Sequence, residues 1–378
     1  MPEWRKAIPI HTKYRRAPAL VLYWSGEQFL YDNYLLGKRI CADPMVASIL
    51  DYCHDWRGAD EVCARLGKFN RTSVARTLET LSRYGMLQRS DKPLDAREKI
   101  PAGWRGWLPA AGFFHFATKD VEFAEDPIAA FRELQKHSKQ QPMPQVGKNY
   151  AGARHVRLEE KGCEQGFAQT LKERRTWRRY SREPVAIGDL GKLLYLSFGV
   201  QSWGRIPGIG RLAMKTSPSG GGLHPIEAYV VARNVEGLRS GVYYYDAVKH
   251  ALAWLRPAIS RAALEKMVGN QHWFGDAAFL VLMTAVFGRT QWKYEFPRAY
   301  RVVLLEAGHL AQTFCLTATW LRLAPFTTAA LADTKWEELL GIDGIRESLL
   351  YAVGAGRRPA DERGAHIGNS AKGMPNWG

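Results

Sequence analysis

No two cysteines in this chain stand at C-x-x-C spacing. The five that occur (Cys41, Cys53, Cys63, Cys163 and Cys315) are scattered and odd in number. That excludes a disulfide framework and predicts reduced, mostly structural thiols of a cytosolic protein. Long apolar runs are also missing. The longest, "AAFLVLMTAVF" over Ala277–Phe287, is about half a membrane span and suits a buried strand. The N-terminus is basic (Arg5, Lys6, Lys13, Arg15, Arg16), but no apolar core of signal-peptide length follows it. A soluble, cytoplasmic protein with no membrane partner is therefore expected. Internal repeats and long low-complexity tracts are absent as well. Acid is scarce relative to base: 53 Lys and Arg face 37 Asp and Glu, a net charge of +16. Such a balance favours nucleic acid, anionic peptides, phosphorylated cofactors or a membrane surface, without choosing among them.

What is present is a core. Hydrophobic residues make up 46% of the 378, enough for two domains or one large domain with an appendage. Short strands are predicted at Ala19–Trp24 and in "QFLYDNYLLG", around a Ser25-Gly26 turn. Asp43-Pro44 reads as the start of a helix carrying Met45, Ile49 and Tyr52, and a second helix covers Ala59–Leu66. A third starts near Thr72 with Val74, Leu78 and Leu81 on one face, ends at Gly85, and leads into a wing strand at Met86–Ser90. Three helices and a strand resemble a winged helix over residues 1–90. Lys68, Arg71, Arg76 and Arg83 decorate its third helix, but such charges are more often a solvated face. Sequence-specific DNA binding is not expected, and a peptide or protein partner is.

Residues 91–160 read as an irregular connector with Pro93, Pro101, Pro109 and a Trp104/Trp107 pair, ending in "HSKQQPMPQVGKNY" (His137–Tyr150). An α/β texture then runs over 161–358, with a tail at 359–378. Helices are predicted at Glu164–Arg174, Ile187–Phe198, Ser260–Met267 and Pro297–Leu323. Strands are predicted at Ile226–Ala232, Gly241–Tyr245, Ala277–Phe287 and Ser348–Val353. The long helix is apolar nearly all round, which demands a large core or a subunit interface.

Three constellations carry chemistry. In "ERRTWRRYS" (Glu173–Ser181), Arg174, Arg175, Thr176 and Arg178 offer guanidinium forks beside a hydroxyl, a combination suited to a phosphate monoester. "VGAGRR" (Val353–Arg358) ends a strand in glycines followed by Arg357 and Arg358, a second phosphate-compatible turn. In "KTSPSGGGLHPIEAYVVA" (Lys215–Ala232), Ser217, Pro218, Ser219, Gly220 and Gly221 offer hydroxyls and bare backbone to a flat polar ligand. Glycines that lead straight into a strand imply close approach rather than a flexible linker. Lys293-Tyr294 lies in a polar segment after a buried strand. Near a redox cofactor the pair could supply a base and an orienting phenol.

Other signals carry less. "GIGRLA" (Gly208–Ala213) matches G-x-G-x-x-A, but no helix follows it, and Pro207–Gly210 is a turn. Glu306-x-x-His309 lacks a second histidine. His309 is read as a satisfied core or interface residue, and no metal site is expected.

The pieces "RRTWRRYS", "SPSGGGLHPIEAYVV" with "GVYYYD", "KYEFPRAYRVVLLEAGHLAQ" and "LLYAVGAGRR" occur in one order over about Gly162–Arg358. Taken together they resemble the SagB-type dehydrogenases, the thiazole- and oxazole-forming branch of the FMN-dependent nitroreductase fold. More loosely, "WLPAAGFFHFATKDVEF" (Trp107–Phe123) and the winged-helix-like segment resemble that family's N-terminal extension. The resemblance implies an α+β, nitroreductase-like FMN-binding fold with an N-terminal winged-helix-like domain, and FMN held at a homodimer interface. Arg174, Arg175, Thr176, Arg178 and Arg357 would hold the phosphate end. Ser217–Gly221 would line the flavin from the partner subunit, and Lys293 and Tyr294 would be catalytic. The implied reaction oxidises an azoline in a ribosomally made peptide, or a peptide-derived product, after a cyclodehydratase has formed the ring. One segment departs from the family pattern. Where relatives tend to carry a glycine-containing turn, this chain has "APFTTAALAD" (Ala324–Asp333), in which Thr327 and Thr328 offer N–H groups in a narrower space. That leaves room for a substrate other than a standard azoline peptide. The alternatives are a nitro- or quinone reductase fed by NAD(P)H and a non-catalytic flavin-fold adaptor that binds a peptide or nucleic acid. An intact Lys293-Tyr294 pair favours the oxidase.

Overall fold

In a computed structural model, residues 12–67, 69–98, 102–120, 126–140, 166–206 and 210–361 are described. Lys68, Cys163, the Pro207–Gly210 turn except Gly210, most of the His137–Tyr150 stretch and nearly all of the 359–378 tail lie outside them. By contacts the chain forms two compact units, Met1–Lys119 with Gln291–Tyr300, and Asp120–Thr290 with Arg301–Gly378.

The first unit contains β1 (Lys13–Arg16), β2 (Leu20–Ser25), β3 (Gln28–Asn33), β4 (Lys38–Cys41), α1 (Val46–Tyr52), β5 (Arg57–Gly58), α2 (Ala59–Arg65), α3 (Arg71–Arg83) and β6 (Leu87–Arg89). β1 lies between β5 and β6, and β2–β3–β4 form an antiparallel meander. The helix α1 starts later than Asp43-Pro44 suggests, because the Asp43 carboxylate accepts from the Met45 N–H at 2.8 Å and holds a turn there. Asn70 caps α3 by accepting from the Thr72 N–H at 2.8 Å, and Gly85, at φ +72°, turns the chain out of it. Val74, Leu78 and Leu81 point inward as their spacing requires, and meet Tyr14, Tyr31, Leu50 and Val62 in one core. The first unit thus sets three helices beside a three-stranded sheet. Further along, α4 (Ala110–Ala117) packs Phe113 and Phe116 against Tyr34 and Leu35, and α5 (Pro127–Gln140) follows. The 91–160 stretch thus contains more helix than its prolines suggest.

The second unit is built on a six-stranded sheet. After α6 (Gly166–Glu173) come β7 (Val185–Ala186), α7 (Ile187–Phe198), the hairpin β8 (Ser202–Ile206) and β9 (Gly210–Met214), then β10 (Ile226–Ala232), β11 (Val235–Glu236), β12 (Gly241–Asp246), β13 (Ala251–Pro257), α8 (Arg261–Met267), β14 (Phe279–Val286), α9 (Phe287–Gln291), α10 (Ala299–Trp320), β15 (Leu323–Thr328), α11 (Asp333–Leu340) and β16 (Glu347–Arg357). The strand order is β13-β12-β10-β14-β16-β15, with every neighbouring pair antiparallel. Helix α7 buries Leu190, Leu193, Leu194, Ser197 and Phe198, the i, i+3, i+4 repeat of a single apolar face. Of the eight residues of β14, only Val286 is not fully buried, as its central place in the sheet requires. Under the sheet, Trp336 donates from Nε1 to the Met267 carbonyl at 2.7 Å, and the buried Glu337 accepts from Ser348 Oγ at 2.5 Å and from the Leu349 N–H at 3.2 Å.

Two elements differ from expectation. The long helix stops at Trp320, and Arg322 turns the chain at φ +59°. The "APFTT" stretch, set where relatives tend to carry a glycine-containing turn, is the edge strand β15, and only an edge strand tolerates Pro325, which has no N–H to give. α10 is long and apolar enough to cross a membrane by length and composition, yet half of that stretch is buried within the protein.

Gly354, in the middle of β16, leaves no room for a side chain: a Cβ there would run into the Phe326 ring and the Phe279 carbonyl oxygen. Gly354→Ala is expected to destabilise the second unit by about 1–3 kcal/mol, the usual cost of overpacking. The midpoint of urea unfolding checks this, and an unchanged midpoint refutes it.

Candidate active site

The arginine segment is fastened to the sheet edge. The Trp177 N–H donates to the Pro325 carbonyl at 2.9 Å, and the Ser181 N–H donates to the Arg357 carbonyl at 3.0 Å. Trp177 is buried, with the Arg358 guanidinium 5.1 Å from its ring centroid. Arg358 also donates to the carbonyls of Leu323 and Thr319. Tyr180 packs against Phe326, and burial raises its hydroxyl pKa well above the ordinary value. A side chain on Gly356 would collide with the Tyr180 ring. The segment from Arg174 to Arg178 thereby runs along the edge strand β15, next to the end of β16 that carries Arg357. Arg174 faces the Cys315 thiol, which burial pushes up to about 12, and Arg178 lies 5.7 Å from the Trp273 ring centroid. Arg175 turns back instead, donating to the Lys172 and Arg174 carbonyls at 2.6 and 2.9 Å and closing the end of α6. Arg357 Nε is buried without a hydrogen-bond partner. Buried donors are nearly always satisfied, so this orphaned N–H, with an arginine-rich segment fastened to the same strand end, fits an anionic group such as the phosphate of FMN.

The Ser-Pro-Ser-Gly loop is fastened to α10. Ser217 is buried and shares a 2.7 Å hydrogen bond with the Thr313 hydroxyl. Ser219 Oγ donates to Glu306 Oε2 at 2.5 Å and accepts from the His224 N–H at 2.9 Å. His224 Nε2 sits 2.9 Å from the Ala213 carbonyl, which can only accept, so that nitrogen carries the proton. Pro218 stays exposed. The close approach implied by the glycines is real, and its partner at Gly220 is the Val302 side chain. Gly221 and Gly222 serve the backbone, at φ +69° and +68°. In the sequence Glu306 entered only through Glu306-x-x-His309, and Lys215 only as the start of the loop stretch. Glu306 is 3% exposed and is the acceptor on which the loop is hung. Burial lowers the Lys215 pKa, while Glu227 and Glu306 act in the opposite direction. A signal for Glu306 did exist: a carboxylate in the middle of an apolar helix needs a donor. His309, by contrast, is exposed, so it is not a core residue of this chain.

Lys293 and Tyr294 belong to the first unit. The Tyr294 carbonyl accepts from Trp107 Nε1 at 2.9 Å. The Lys293 ammonium sits 5.4 Å from the Tyr294 ring centroid, and Tyr294 packs edge-on against Phe296. A Cβ on Gly106 would strike the Glu295 carbonyl, so the turn around Trp104 and Trp107 lies flush against this segment. Behind it, His115 Nδ1 and the Tyr300 hydroxyl are 2.6 Å apart in a buried aromatic cluster. Lys293 itself is exposed. The Thr328 hydroxyl is engaged inside the second unit, accepting from Gln271 Nε2 at 3.0 Å and the Ala330 N–H at 3.1 Å.

The Nitroreductase family matches residues 171–357. Protein MJ1384 of Methanocaldococcus jannaschii, named for a nitroreductase, is 30% identical over 188 residues, 50% of this chain and 89% of its own length. The trifolitoxin-processing protein TfxB of Rhizobium leguminosarum bv. trifolii is 32% identical over 145 residues, 36% of this chain and 38% of TfxB. The microcin B17-processing protein McbC of Escherichia coli is 25% identical over 167 residues, 43% of this chain and 58% of McbC. The match thus spans less than two thirds of either processing protein. It takes in the arginine segment, the Ser-Pro-Ser-Gly loop and the glycines of β16, and with them this chain belongs to the nitroreductase family.

Proposed function

We propose that the protein is a homodimeric, FMN-dependent oxidoreductase that oxidises an azoline or a related group in a ribosomally made peptide or a peptide-derived product. The observation that carries this reading is the buried Arg357 Nε, without a hydrogen-bond partner among the described residues, on the strand end to which the Arg174–Arg178 segment is fastened. Arg174, Arg178 and Arg357 bind the phosphate through charge-assisted bonds, and Thr176 offers a hydroxyl. Bound FMN supplies a two-electron acceptor. The names of the two processing relatives support a peptide substrate. The reaction class that must supply such a substrate is cyclodehydration of Cys, Ser or Thr. Aromatising the ring removes a proton from one carbon and a hydride from its neighbour. Lys293 takes the proton, and Tyr294 orients the amine or relays the proton.

The faces of α10 support the dimer reading. Val302, Glu306 and Thr313 meet the Ser-Pro-Ser-Gly loop, whereas Cys315 meets Arg174. Positions 313 and 315 are about 200° apart around a helix of 3.6 residues per turn. The two halves of the flavin cradle therefore lie on nearly opposite sides of α10 within one chain, and a two-fold partner can bring complementary halves together. Apolar faces support the same reading: Leu305 on α10 is 61% exposed and Phe167 on α6 is 68% exposed.

Purified protein should be yellow, with one FMN per subunit. Each lost guanidinium–phosphate contact costs about 1.5–3 kcal/mol, so Arg174→Ala with Arg178→Ala should empty the site. Full FMN occupancy in that variant, measured by absorbance after denaturation, refutes the phosphate assignment.

Light scattering at low micromolar concentration should find a dimer, and Leu305→Glu should shift it toward monomer with loss of flavin. A flavin-loaded monomer would sink the interface argument.

Lys293→Ala and Tyr294→Phe should retain FMN and the dimer. A general base contributes about 10²–10⁴-fold, so single-turnover flavin reduction by an azoline peptide should slow by at least the lower figure in Lys293→Ala. A rate near that of the parent protein removes Lys293 from the chemistry. Rapid NAD(P)H oxidation with no response to the peptide favours a nitro- or quinone reductase instead.

A further inference from the structure

The first unit contains a cavity of about 530 Å³ that the chemistry above does not use. Arg15, Arg16 and Arg105 line it together with a single carboxylate, Glu98, and Leu94 and Leu108 contribute apolar wall. We propose that this cavity binds an acidic, partly apolar segment of a peptide. The inference deepens the peptide-substrate reading and depends on it only for the origin of that segment.

Its size lies within the range of about 300–1,000 Å³ common for ligand sites. Arg15 is already oriented: it donates to Gln88 Oε1 at 3.1 and 2.9 Å, and its guanidinium lies 4.7 Å from the Trp56 ring centroid. Arg16 and Arg105 are exposed, and neither has a carboxylate partner among the described residues. Guanidinium forks match carboxylates in a bidentate geometry, so two arginines held at a rim select Asp and Glu side chains. Glu98 opposes them weakly, since burial holds its carboxyl above the usual range. Leu94 and Leu108 have no use for an inorganic anion, but they suit an alkyl side chain placed next to an acid. A nucleic acid fits less well. Arg71 on α3 is already paired with Asp60, and a concavity holding two leucines and a carboxylate opposes a phosphate backbone.

The test is fluorescence anisotropy on the full-length, flavin-loaded protein, with a labelled peptide of alternating Leu and Glu. Expected are saturable binding, at least tenfold weaker binding of the Leu/Gln analogue, and at least tenfold weaker binding of Leu/Glu by Arg16→Glu with Arg105→Glu. Both arginines are exposed, so the double variant should fold, and its thermal midpoint verifies that. Lys249→Glu, an exposed lysine in the second unit, should bind like the parent. Equal binding of both peptides, an unaffected double variant, equal loss in Lys249→Glu, or arginine-dependent displacement of the peptide by duplex DNA would each overturn the proposal. Flavin content and turnover are measured separately, so failure here leaves the oxidoreductase reading intact.

Discussion

Two backbone hydrogen bonds hold the arginine-rich segment where it is. An edge strand exposes unpaired N–H and C=O groups and must be covered. β15 meets that need with the segment after α6, through Trp177 to Pro325, and Ser181 adds a bond to Arg357 at the end of β16. Proline at position 325 sets the geometry, because it leaves a carbonyl to accept and no N–H to compete. Once the segment is laid down, the buried Trp177 ring and the partly buried Tyr180 ring fix its roll, and Gly356 lets it lie close. The direction in which Arg174 and Arg178 point is thus a consequence of edge-strand coverage.

The second constraint is the buried charge on α10. Burying a carboxylate is costly unless it is hydrogen-bonded or paired. Ser219 supplies a 2.5 Å hydrogen bond, His224 Nδ1 lies 3.7 Å away, and Lys215 adds its field. Glu306 therefore ties three residues of one loop to one helix. The same carboxylate makes it easier to bury Lys215, whose charged form burial disfavours.

Much of this was legible in the sequence, and what was missed has a physical explanation. Helix α7 and strand β10 have the predicted bounds, because an apolar repeat of one period and clear punctuation mark each of them. The order of arginine segment, glycine loop and terminal glycines was readable because each stretch is chemically unusual for its place. β15 was not, since "LAPFTT" has strand-like residues around a proline, and only knowledge of the sheet edge makes that proline acceptable. Strand β13, whose residues are largely exposed, offers little alternation to read. The support for Tyr294 was invisible for another reason: Trp107 is 187 residues away in sequence, and no local pattern encodes such a contact.

That long-range contact changes what the N-terminal unit is for. The segment carrying Lys293 and Tyr294 runs straight into α10, yet by its contacts it groups with the residues before Lys119. Its carbonyl at Tyr294 is held by Trp107, its backbone at Glu295 presses on Gly106, and Tyr300 is bonded to His115. None of these contacts involves the Lys293 or Tyr294 side chain, so they set the backbone and leave the two functional groups free to meet a ligand. Aromatic packing of this kind is stiff, because interiors are packed to near-crystalline density and a displaced ring must displace its neighbours. A base that must meet a carbon within a few tenths of an ångström needs such a mount. The N-terminal extension therefore supports the segment that carries Lys293 and Tyr294, and removing it would leave that segment without the surface against which it packs.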